Sequence, residues 1–201
     1  MRFARTDRMV PLLLAFLALG ACSLFEARDP MEPPPPPTGC RSLTAPDALI
    51  ANIEDLAVGY GRVSGLTCYG SMLDTTFIFH PDPGDSVDAL PETPFIAWDE
   101  VVEGQVNSSV ASQQDFIFAD LEENAPPIIS PDQTTELHFY DYMLRYSASG
   151  DPDTLRFTGT ADLTFQRGRD GQWKITDWVD HRGSVSDSTW GLFRRGFRVG
   201  F

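Results

Sequence analysis

Basic side chains are few in this chain, and reactive ones fewer. Lys174 is the only lysine among 15 basic residues, which stand against 29 acidic ones for a formal charge of −14. So acidic a surface repels phosphate backbones and anionic head groups, and nucleic acid is excluded as a partner. There are three cysteines and three histidines. His80, His138 and His181 fall on separate segments without ligand spacing, so neither a zinc site nor a Ser/His/Asp triad is supported. No C-x-x-C pair occurs, and no apolar run reaches the ~20 residues of a spanning helix. The glycines of Gly59-Tyr60-Gly61-Arg62-Val63-Ser64-Gly65 have the wrong spacing for a dinucleotide loop, and no cofactor is implied. Asp82, Asp85 and Asp88 do not match a calcium-binding loop and read as solvated turn residues, with no metal.

The most specific signal lies at the N-terminus. Arg2, Arg5 and Arg8 precede the apolar stretch Val10–Leu19, and Leu19-Gly20-Ala21-Cys22 closes it with small residues, the pattern of a signal peptide over residues 1–21. Leu-Gly-Ala-Cys resembles the lipobox of bacterial lipoproteins. The resemblance implies cleavage before Cys22, a diacylglycerol on its sulfur and a further acyl chain, such as palmitate, on its amine. Several chains anchor stably, since each buried CH₂ contributes ~0.8 kcal/mol. Serine at position 23, where aspartate would favour inner-membrane retention, points to the outer membrane facing the periplasm. Residues 22–43 lack core periodicity, and Pro30 with Pro33–Pro37 makes them an extended tether rising ~3.1 Å per residue. In such an oxidising compartment Cys40 and Cys68 can pair in one way only, a bridge contributing roughly 3–4 kcal/mol.

Residues 44–201 then form one domain of ordinary size. Thr44-Ala45-Pro46-Asp47 caps a helix in which Leu49, Ile53, Leu56, Ala57 and Tyr60 recur at helical spacing. A short helix over Leu66–Leu73 and a strand over Thr75–His80 follow. A third helix runs from Asp99 to about Gln114 with Trp98, Val102, Val106 and Val110 in one stripe; Asn107-Ser108-Ser109 in it is a glycosylation sequon that a bacterial lipobox discounts. Asp115–Asn124 is a short strand broken by Pro126-Pro127, and Thr134–Ser147 a longer one with two largely apolar faces. Trp190, Leu192, Phe193 and Phe197 close the chain among three arginines.

The clearest strand is Leu155–Gln166. Leu155, Phe157, Gly159, Ala161, Leu163 and Phe165 alternate with polar residues, and Asp170-Gly171 predicts a type I′ hairpin into a strand starting at Trp173. Gly159 and Ala161 leave space on the inward face, which points to an apolar pocket walled by Tyr60, Phe157, Trp173 and Trp178; close approach of a helix explains them equally well. If Trp173 and Ile175 face inward, strict alternation brings Asp177 and His181 with them as a general acid–base pair. Burying Trp178 as well as Trp173 instead requires a bulge that turns Trp178 and Asp180 inward. The alternative to both is that Asp177, Asp180 and His181 are strand-end residues binding backbone or Arg182.

The stretches TAPDALIANIEDLAVGY, CYGSMLDTTFIFHPDP, PFIAWDEVV, DGQWKITDWVDHRG and STWG, in that order over Thr44–Leu192, resemble the nuclear transport factor 2-like, SnoaL-like superfamily and, within it, bacterial lipoproteins. The resemblance implies an α+β, cystatin-like cone: a curved antiparallel sheet wrapped around N-terminal helices. That superfamily holds isomerases, dehydratases and cyclases beside non-catalytic domains, so fold does not settle function. Two readings stand: an envelope-anchored domain binding a small apolar ligand or a partner protein, with a homodimer through the sheet face; or a small isomerase, dehydratase or hydrolase using an Asp/His pair in the pocket.

Overall fold

The computed structural model describes residues 40–59, 63–87, 95, 97–148, 150, 153–184 and 187–197. The signal segment, Cys22, the tether up to residue 39, Tyr60 and Asp88 lie outside the described residues. The elements are α1 (Pro46–Gly59), α2 (Val63–Met72), β1 (Leu73–His80), α3 (Pro83–Val87), α4 (Glu100–Gln113), β2 (Gln114–Ile129), β3 (Thr135–Ala148), β4 (Leu155–Arg167), β5 (Trp173–His181) and α5 (Trp190–Phe197).

Helix α1 starts on Pro46, whose missing N–H would have no partner in a first turn. Leu49, Ile50 and Ile53 are buried along one face. Asn52 fixes the incoming chain: its side-chain oxygen accepts from the Arg41 amide at 2.7 Å, and its nitrogen donates to the Arg41 carbonyl at 3.3 Å. The Cys40–Cys68 disulfide ties the same segment to α2 across a Cα separation of 5.3 Å.

The five strands form one curved sheet in the order β1-β5-β4-β3-β2. It is mixed and not wholly antiparallel, because β1 enters beside β5 in parallel. Strand β2 also departs from expectation: it continues through Pro126 and Pro127 to Ile129, with register shifts after Glu123 and after Ala125. Proline is tolerated there because β2 is an edge strand, where a missing N–H costs no ladder bond. The β4–β5 connection is not a type I′ turn. Five residues separate the strands, and only Gly171, with φ 80°, is left-handed, whereas type I′ needs two such residues.

One face of the sheet is the core. Ile117, Ala119 and Leu121 of β2, Tyr140, Tyr142, Leu144 and Tyr146 of β3, and Ala161, Leu163 and Phe165 of β4 are all buried on it. The opposite face carries Leu137, Phe139 and Met143 half-buried, with Asp141 and Arg145 exposed. Helix α5 lies on the inner face: Trp190 meets Trp178 at 4.8 Å and Tyr142 at 5.5 Å, and Phe193 meets Phe157 at 5.2 Å and Tyr146 at 5.4 Å between ring centroids.

Candidate functional site

Strand β5 decides which acids face inward. Asp177 pairs with Thr164 and Ile175 with Phe165, so Thr176 is an extra residue with no partner of its own, a β-bulge. Before it Trp173 and Ile175 point to the core; after it Trp178 and Asp180 do. The alternation that would bring Asp177 and His181 inward therefore fails at Thr176. Both lie on the outer face, where His181 Nε2 is 3.1 Å from Asp162 on β4 and Asp177 is 3.6 Å from His80 Nε2 on β1. Asp180 and His181 point to opposite faces, and no inward acid–imidazole pair exists among Asp177, Asp180 and His181.

Asp180 is fully buried. Its Oδ1 accepts from the Tyr142 hydroxyl at 2.6 Å and its Oδ2 from the Gly191 amide at 2.6 Å, while the same hydroxyl accepts from the Trp190 amide at 2.8 Å. Two otherwise unpaired donors of the first turn of α5 are thus satisfied from the sheet. Burial pushes the Asp180 carboxyl up to about 7, and the Asp85 charge adds to the rise; the bonds from Tyr142 and Gly191 and the Arg194 charge oppose it. Burial likewise raises the Tyr142 hydroxyl far above its ordinary value.

Asp85 is not the solvated loop residue expected, for it too is fully buried. It accepts from the Thr189 hydroxyl at 2.5 Å and pairs with Arg182, and that hydroxyl in turn caps the Leu192 amide at 3.1 Å. The two carboxylates converge on Gly191. A Cβ there would lie 2.6 Å from Asp85 Oδ2 and 3.2 Å from Asp180 Oδ2, which is why only glycine fits.

One turn further along α5, Arg194 is buried in a second network. Its Nε donates to Glu103 Oε1 at 2.8 Å, Tyr69 donates to the same oxygen at 2.6 Å, and Trp98 Nε1 donates to Oε2 at 2.6 Å. Asn107 donates to the Glu103 carbonyl at 2.8 Å and is itself buried, so the asparagine of the sequon is taken up in the helix interface. The guanidinium sits between the Phe79 and Trp178 rings, 4.1 and 4.2 Å from their centroids. Arg194 Nη1 and Trp178 Nε1 have no hydrogen-bond partner among the described residues, and the cation–π stacking offsets part of that cost for the arginine.

A third polar group was not legible as a site. His138, buried on β3, lies between Glu123 Oε1 at 3.2 Å and Glu136 Oε2 at 2.9 Å, with the Tyr140 hydroxyl 3.3 Å from its Nδ1. Glu136 and His138 share a face by alternation, but Glu123 arrives from the neighbouring strand, so only cross-strand register reveals the cluster. Both ring nitrogens are occupied by carboxylates, which suits a clamp between β2 and β3. Among the described residues no group of His, Cys, Asp and Glu could hold a metal ion.

The described residues expected to wall a pocket belong to the hydrophobic core. Trp173, Trp178 and Ala161 are buried in the core, and Phe157 packs on α5. Gly159 opens no gap, because a Cβ there would lie 2.5 Å from the Tyr142 hydroxyl and closer still to the His181 carbonyl. The arrangement as a whole binds a helix, and its acids are acceptors for that helix.

No family model matches the chain, and no curated protein sequence matches it. Solved structures do. A conserved protein from Planctomyces limnophilus superposes with TM-score 0.50 at 12% identity, covering 66% of this chain and 92% of its own. A provisionally named scytalone dehydratase from Novosphingobium aromaticivorans does so with TM-score 0.50 at 9% identity, covering 71% and 90%. A nuclear transport factor 2-like superfamily protein from Salmonella enterica gives TM-score 0.42 at 13% identity, covering 70% and 95%. At such identities the likeness is one of fold. The chain has the nuclear transport factor 2-like, SnoaL-like fold.

Proposed function

We propose that this chain is a lipid-anchored envelope protein whose folded domain works by binding and not by chemistry, through the outer face of its sheet. The observation that carries the reading is the state of Asp180: the one inward acid of β5 is sealed from solvent and engaged by the backbone of the chain's own α5. A catalytic acid must reach a substrate proton within hydrogen-bond distance, and here the donors in reach are a helix amide and the buried Tyr142 hydroxyl. The outer face, by contrast, presents Leu137, Phe139 and Met143 along β3 with Ile128 and Ile78 exposed at the two sheet edges.

The occupant that fits is a second copy. Arg145 and Arg156 are cross-strand neighbours at one end of that face, a like-charge pair that costs stability unless neutralised. Asp141, Asp162 and Asp177 lie towards the other end, so two copies related by a two-fold axis can set arginines over carboxylates around the β3 stripe. Acylation at Cys22 would hold such a dimer at the membrane.

Native mass spectrometry of the mature protein in detergent tests both parts. The expected result is a dimer with an acylated Cys22 at its N-terminus, and a folded monomer for Phe139→Glu. An unmodified N-terminus would remove the anchor, and a monomeric wild type retaining a small molecule would favour the ligand-pocket reading over this one.

A further inference from the structure

Helix α5 is the last described element, contributes no strand to the sheet, and spans eight residues. A helix of that length is not stable alone, so it is held by docking. Terminal elements that dock through side chains open as local units at lower free energy than the domain. Its attachment is also unusual in kind: its N-terminal turn is fixed by two wholly buried carboxylates, Asp85 from α3 and Asp180 from β5, that approach the same glycine.

We propose that α5 is a pH-sensitive cover over the inner face of the sheet, which loosens as pH rises because the buried Asp180 that accepts from Gly191 then carries charge beside Asp85. The groups facing this point come from every element packed there. Arg182, after β5, pairs with Asp85; Arg195 of α5 donates to the Asp85 carbonyl at 3.4 Å; Tyr142 of β3 donates to Asp180; Arg194 is already paired to Glu103 of α4. Thus Asp85 has a cation in contact, whereas Asp180 has only a hydroxyl and an amide, with a second carboxylate beside it. That imbalance makes Asp180 the proton-binding member, and burial with the Asp85 charge raises it to about 7. Once α5 opens, Asp180 is hydrated and regains an ordinary carboxyl of ~3.9, so opening releases one proton. Opening therefore becomes more favourable with each unit of pH up to about 7, and levels off above it. What it uncovers is the aromatic ground on which α5 sits: Tyr142, Tyr146, Phe157 and Trp178.

Hydrogen exchange on the full chain in detergent micelles, corrected for intrinsic rates, reads this directly. Between pH 5 and 7 the opening constant of residues 190–197 should rise about tenfold per unit, the limit for one linked proton, and at each pH it should exceed those of β3 and β4, which open only with the whole domain. Asp180→Asn, neutral at every pH, should abolish that slope. Asp85→Asn should keep a slope but move its upper end to lower pH, because the neighbouring charge is gone. The proposal is overturned if wild-type α5 protection is flat with pH, if residues 190–197 are as strongly protected as β3 and β4, or if Asp180→Asn keeps the slope. The wild-type comparison needs no variant, so a misfolded Asp180→Asn would not shield the idea.

Discussion

Gly159 illustrates how far a single residue can be read. Alternation along β4 placed Gly159 and Ala161 on the inward face, and they are there. What fills the space beside Gly159 belongs to other strands: the Tyr142 ring is its β3 partner, and the His181 carbonyl comes from β5. A strand's own sequence reports which way its side chains point but not what stands opposite, so pocket and close packing looked equivalent. The same limit hid the His138 cluster. Gly159→Ala would push a methyl against the Tyr142 hydroxyl and a backbone carbonyl that cannot swing aside, and Tyr142 is itself bound to Asp180 and Trp190. The expected loss is ~1–3 kcal/mol, the usual cost of overpacking, seen as a lower melting temperature. A melt equal to or above that of the wild type would mean that Tyr142 has room to move and that the pocket reading of this face deserves revival.

At the scale of elements, helices α1 and α4 and strands β3 and β4 were legible because each carries a period long enough to be read. Strand β5 was legible in existence but not in facing, since one extra residue at Thr176 exchanges the two sides; only the need to bury both Trp173 and Trp178 hinted at it. Helix α5 was not legible as a helix: Trp190, Phe193 and Phe197 do recur at helical spacing, but a run of eight residues is too short for period alone to tell a helix from a strand. In α4 the expected line of Val102, Val106 and Val110 is rotated: Glu103 and Asn107 are buried beside Val106 and Val110, and Val102 is only half-buried. An acid at a helix's buried face implies a partner, and that partner, Arg194, is 91 residues away. Glu103→Gln keeps the shape but leaves Arg194 charged and unpaired between aromatic rings. Breaking such a pair typically costs 3–5 kcal/mol, whereas replacing both members by apolar residues can be nearly neutral. Denaturant titration should therefore show Glu103→Gln clearly less stable than a Glu103→Leu, Arg194→Met double variant; the reverse order would place the strength of α5 docking in its phenylalanines.

For the whole molecule, acidity and burial combine into a definite pH dependence. Asp180 has a folded pKa raised to about 7, mainly by burial, and Glu54 is raised in the same direction by burial beneath the Leu121 amide it accepts from. A raised carboxyl binds more protons folded than unfolded, so its stabilisation is fully present below the unfolded value of ~4 and is lost as pH rises through the folded one. Asp74 runs the other way: hydrogen bonds from Thr76 lower its pKa, and its small, mostly exposed contribution is gained above ~4. The buried group outweighs the exposed one, and a formal charge of −14 adds self-repulsion with the same sign. Stability should accordingly be greatest near pH 5 and fall towards pH 8, and since 1 kcal/mol shifts the melting temperature of a domain this size by ~2–4 °C, the change should reach several degrees. Salt distinguishes the two causes, because added electrolyte screens surface repulsion and leaves a buried carboxyl largely untouched. Melts at pH 5, 6, 7 and 8 in low and high salt, on wild type and Asp180→Asn, would separate them: the decline should persist in high salt for the wild type and shrink for the variant. A melting temperature that rises from pH 5 to pH 8 would mean that Asp180 is ionised in the folded protein throughout, stabilised there by the Gly191 amide and the Tyr142 hydroxyl.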